Sequence, residues 1–93
     1  MVIGTATVEL YVPGVNSLKD KRRVIKGLLE RTRARFNVSV AEVGKLDLWR
    51  QATLGLAWVS NDSGHAHRSL QAVIKFLERQ PDVQVADFWV RVI

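Results

Sequence analysis

Cysteine is absent from the 93 residues, which excludes a disulfide framework, a thiolate metal site, an iron–sulfur centre and a thiol nucleophile. Proline is scarce at two residues and glycine numbers six, so collagen-like, low-complexity and disordered classes are excluded as well. No apolar run approaches the roughly 18–20 residues that a spanning helix needs, and the chain opens on alternating, strand-like sequence where a secreted protein has a charged leader and an apolar segment. The expectation is a soluble, cytoplasmic protein with no membrane partner. What the chain does have is 47% hydrophobic and 25% charged residues, over a length that suits one domain covering residues 1–93.

The net charge of +5 is unevenly placed. Lys19, Lys21, Arg22, Arg23, Lys26, Arg31, Arg33 and Arg35 share their segment with only Asp20 and Glu30, and the rest of the chain is close to neutral. Such asymmetry suits an anionic partner, nucleic acid first and an acidic protein surface second. A solvated cationic helix with no dedicated ligand is the competing explanation.

Hydrophobic period gives the order of elements. Val2, Gly4, Ala6, Val8, Leu10 and Val12 alternate with Thr5, Thr7 and Glu9, the signature of a half-buried strand from Val2 to Val12. Pro13-Gly14 ends it, and Ser17 with Asp20 three residues on reads as a helix cap. Leu18, Ile25, Leu28, Leu29, Thr32 and Phe36 recur at helical spacing. A second strand is expected from Asn37 to Val43, a turn at Gly44–Asp47, and a third strand from about Trp49 to Ser60. Asn61, Asp62 and Ser63 offer the next cap, and Ala66, Leu70, Val73, Ile74 and Leu77 form the stripe of a second helix. Pro81 stops it, and Val83–Ile93 has strong β propensity.

The order βαββαβ, with two right-handed crossovers, predicts a ferredoxin-like α+β sandwich: a four-stranded antiparallel sheet in order 4-1-3-2 with both helices on one face. The covered face is expected to take Val8, Leu10, Leu54, Leu56, Phe88 and Val90. The open face is expected to show Thr5, Thr7, Glu9, Tyr11, Asp87, Trp89 and Arg91.

Three stretches carry a likeness to known proteins: Ser17-Leu18-Lys19-Asp20-Lys21-Arg22-Arg23, then Arg35-Phe36-Asn37-Val38-Ser39-Val40-Ala41-Glu42-Val43, then Leu48-Trp49-Arg50-Gln51-Ala52. With them the chain resembles the YlxP-like family of small bacterial proteins over nearly its full length. The resemblance implies a ferredoxin-like fold and no established activity, and it brings no catalytic residues with it. Members of the family are often encoded beside translation and ribosome-maturation genes, which implies RNA or the ribosome as a partner.

Candidate sites follow from charge and exposure. Lys19, Arg22, Arg23, Lys26 and Arg33 project into one sector of the first helix at about 100° per residue, beside the apolar stripe. With Lys21 they are the expected phosphate ligands, tracking a backbone without reading sequence. Glu30 lies close enough to lower their potential. On the open sheet face Tyr11, Val85, Trp89 and Arg91 are the expected self-association surface of a homodimer. The third strand lacks the aromatic pattern of an RNA-recognition motif. Glu42, Asn37 and Ser39 occupy a strand near the basic helix, where Glu42 suits a polar cluster with a Lys or Arg, or an edge charge that discourages aggregation.

His65 and His67 sit two apart on a helix and point about 200° away from each other, so they do not grip one ion; no metal or cofactor is expected. Carboxylates are scattered one per element and no nucleophile–base arrangement is legible, so the chain is not expected to be an enzyme. Pro13-Gly14-Val15 after the first strand is similar to the ligand loop of ACT amino-acid sensors, and also suits an ordinary turn.

Overall fold

Alternation of buried and open positions makes β1 (Val2–Tyr11) the centre of the molecule: Ala6, Val8 and Leu10 are buried, while Thr5, Thr7 and Glu9 face the other way. In the computed structural model, which describes residues 1–93, α1 (Leu18–Arg35), β2 (Ser39–Gly44), β3 (Gln51–Ser60), α2 (Ser63–Glu78) and β4 (Gln84–Val92) follow. The strands form one antiparallel sheet in order β2-β3-β1-β4. This is the expected 4-1-3-2 order, counted from the opposite edge.

Both helices begin at side-chain caps. The Asp20 N–H donates to Ser17 Oγ at 3.0 Å and the His65 N–H to Asp62 Oδ2 at 2.7 Å, each satisfying an otherwise unpaired donor of the first turn. Leu28, Leu54, Leu70, Ile74 and Leu77 are fully buried between the helices and the covered sheet face. Gly4 marks the closest approach of α2 to β1, for a Cβ there would stand 2.8 Å from Leu70 Cδ1 and 3.3 Å from the Ala66 Cβ. No helix is long and apolar enough to cross a membrane.

The structure departs from expectation at three places. First, the connection between β2 and β3 is longer: β2 starts at Ser39, β3 at Gln51, and Lys45 to Arg50 form a loop in which Lys45 takes a positive φ of 58°. Trp49 is therefore a loop residue. Second, the pairing of β1 with β4 shifts between Glu9 and Leu10, so that Glu9 faces Asp87 while Leu10 faces Val85. The extra residue of this bulge reverses the alternation, and Val85 packs against the core. Third, Phe88 is on the helix side but stays 41% exposed, because it lies on an edge strand beside Gln71, Lys75 and Glu78 of α2.

Candidate functional site

The α1 sequence puts its cations into three different settings. Lys21, counted above among the phosphate ligands, is corrected by the structure: its side chain has no exposure and its ammonium lies 2.8 Å from Glu42 Oε2. It also donates to the carbonyls of Lys45 and Leu48, each at 2.8 Å. With two hydrogen bonds and one ion pair inside the fold, the buried ammonium has no face open to a ligand. Glu42 Oε2 is itself buried and has no well-directed hydrogen bond; the short approach of Lys21 compensates it by charge. Lys21 is thus a clamp joining α1 to β2 and to the 45–50 loop, and of the two roles open to Glu42 in the sequence it takes the polar pairing with a lysine. Arg50 fastens the far end of the same loop by donating from Nε to Val15 O at 3.0 Å.

The remaining expected cations stay on the surface, and three of them lie on the flank of α1 that faces β2. Lys19, Arg22, Arg23, Lys26 and Arg33 are all exposed. Arg22, Lys26 and Arg33 line a shallow depression of about 250 Å³, together with Glu30 and Glu42. Arg33 Nη2 donates to Val40 O at 2.8 Å, which fixes the guanidinium at the edge of β2. The chain's ion pairs are Lys21–Glu42, Arg31–Asp82 and Lys45–Glu9, so none of these five cations has a carboxylate within pairing distance.

On the other flank, facing α2, lies a cation group that sequence reasoning missed. Phe36 and Phe76 meet edge to face, with ring centroids 5.5 Å apart. The Arg35 guanidinium lies over both, 5.9 Å from one centroid and 5.6 Å from the other. Lys75 of α2 and Arg79, which caps its C-terminus, complete a depression of about 420 Å³ around them. The i, i+4 spacing of Lys75 and Arg79 was the available signal, but Phe36 counted only as core and the two helices meet only in three dimensions.

The open sheet face holds Tyr11, Trp89 and Arg91, and not Val85. Trp89 is 48% exposed and stands next to Thr7, which in turn neighbours Gly55 and then Ala41 across the sheet. Glu9 on this face accepts from Thr53 Oγ1 and meets Lys45 at 3.4 Å.

The remaining candidates occupy ordinary positions. Val15 is buried, and no surface depression is lined by residues 13–15. His65 Nε2 lies 3.5 Å from Ser69 Oγ and its ring is edge-on to Trp58, while His67 is exposed on α2. No group of three or more His, Asp or Glu side chains stands close enough to hold a metal ion.

Comparison with known proteins bears on the fold and on the family. The de novo designed protein Foldit4 superposes with a TM-score of 0.51 over 100% of this chain and 97% of its own, at 16% identity, which speaks to fold alone. A dimeric ferredoxin-like protein of unknown function from Thermobifida fusca YX gives a TM-score of 0.40 at 14% identity, over 98% of this chain and 90% of its own. In sequence, the uncharacterized protein YlxP of Bacillus subtilis strain 168 is 36% identical over 83 residues, 89% of this chain and 90% of the relative. The family model described as a protein of unknown function, DUF503, matches residues 3–90. With the match running through both helices and all four strands, the chain belongs to this YlxP-like family of proteins of unknown function.

Proposed function

We propose that the protein is a small cytoplasmic binding module that holds the phosphate backbone of RNA along the β2-facing flank of α1. One observation carries this reading: Lys19, Arg22, Arg23, Lys26 and Arg33 are exposed along one sector of α1 and take part in none of the chain's ion pairs. Cations spaced along a rigid helix release counterions from a polyanion without reading its bases, so the affinity they give falls steeply with salt. RNA is favoured over DNA by the setting of the family's genes beside those of translation. Replacing Arg22, Arg23 and Lys26 together by Glu is expected to weaken RNA binding about 100-fold at roughly 50 mM salt and to lower the slope of log affinity against log salt by about 2 to 3. All three side chains are exposed, so the melting temperature should stay close to the parent's. Unchanged affinity sinks the reading.

A second reading is favoured by the open sheet: a homodimer that uses this face without nucleic acid. Trp89 at 48%, Val43 at 60% and Val59 at 65% exposure leave apolar surface uncovered there, and burying it against a second copy is favourable. Trp89→Arg is then expected to convert a dimer to a monomer in sedimentation at micromolar concentration. A parent chain that sediments as a monomer throughout that range rules the dimer out.

A further inference from the structure

The groove between the C-terminal halves of α1 and α2 is lined by cations and by no carboxylate, with Asp82 paired to Arg31 at the rim. Two adjoining depressions, about 420 and 430 Å³, share Arg35, Phe76 and Gln80 and are rimmed by Arg31, Lys75 and Arg79. The β2-side depression, in contrast, sets its three cations against Glu30 and Glu42. Arg31 is engaged with Asp82 at 3.4 Å and with Gln80 at 3.0 Å, whereas Arg35, Lys75 and Arg79 take part in none of the ion pairs. Helix dipoles favour a cation near each C-terminus, but they do not call for an aromatic pair between two such ends.

We infer that this groove is a nucleotide-binding site, in which Lys75 and Arg79 hold a phosphate and Arg35, carried on the Phe36–Phe76 pair, stacks against the base. Guanidinium groups serve as stacking surfaces for unpaired bases, and one already held over two rings loses little freedom on binding. The inference rests on the RNA reading for its ligand and adds a contact on the side of α1 away from the basic flank. Its ligand class is therefore a single-stranded segment, because a base must leave its stack to reach Arg35.

The test is binding of an eight-nucleotide oligoadenylate, followed by anisotropy over a salt series. K75Q/R79Q is compared with R68Q/R91Q, which removes the same charge elsewhere; all four positions are exposed. K75Q/R79Q is expected to weaken binding about tenfold more than R68Q/R91Q and to lower the salt slope by about 0.7, the value for one single-strand phosphate contact. Arg35→Lys, which keeps the charge and loses the planar surface, should weaken binding about fivefold, the low end for a lost stack, at unchanged slope. Equal losses in the two double variants overturn the inference, since only net charge would then be acting. If the groove variant binds like the parent while the Arg22, Arg23 and Lys26 reversal abolishes binding, the groove falls and the basic flank stands. The reverse pattern supports the groove and sinks the flank. A parent that does not bind the oligonucleotide at about 20 mM salt overturns both.

Discussion

Replacing Lys21 by Met is expected to cost about 3 kcal/mol of stability and to lower the melting temperature by roughly 12 to 24 °C for a domain of this size. The methionine fills similar space but leaves Glu42 as a largely buried charge with no cation, and leaves the Lys45 and Leu48 carbonyls without their donor. Breaking a buried pair from one side costs about 3 to 5 kcal/mol, and the 15% exposure of Glu42 places this case at the lower end. The paired change, Lys21→Met with Glu42→Leu, removes the stranded charge and should recover part of the loss. Urea unfolding of the parent and the two variants measures both. A single variant that melts within about 3 °C of the parent contradicts the clamp.

Leu70→Ala is expected to destabilise the fold by about 3 kcal/mol, within the usual range of 2 to 5 for a buried leucine. Leu70 is fully buried, and it lies over Gly4, where even a methyl group would come within 2.8 Å of its Cδ1. The two positions should therefore be coupled. Gly4→Val alone forces Leu70 and Ala66 aside and is destabilising through overpacking; in the Leu70→Ala background the new side chain enters the vacated space, so the combined loss is smaller than the sum. A double-mutant cycle by thermal melting gives the coupling, and strict additivity within about 0.5 kcal/mol is the result that contradicts this packing.

Much of the fold was legible because period and capping act locally. Ser17 and Asp62 cap the helices they were expected to cap, and the alternation along β1 fixed which face is buried. Val85 was misplaced because a bulge adds one residue to β4 opposite Glu9 and Leu10, and nothing in the run Gln84-Val85-Ala86-Asp87 marks which residue is extra. Lys21 was misplaced for a different reason. Projected at about 100° per residue it falls between Leu28 and Thr32, within the apolar stripe, where a charged side chain is buried only if the fold supplies a partner. Glu42 shares the inward parity of Val38 and Val40, so an inward cation facing an inward carboxylate was there to be read.

The amino-acid order alone determined the six elements, their sheet order and the concentration of positive charge on α1, since each follows from spacing within a segment or from the handedness of its connections. Only the tertiary structure decided which of those cations remain free. Lys21 is consumed by a strand and a loop more than 20 residues away, Arg31 by Asp82, and Arg35 is carried onto a ring from each helix to meet Lys75 and Arg79. Charge is a property of the side chain, but its availability depends on what the fold sets beside it, and those neighbours come from distant parts of the chain.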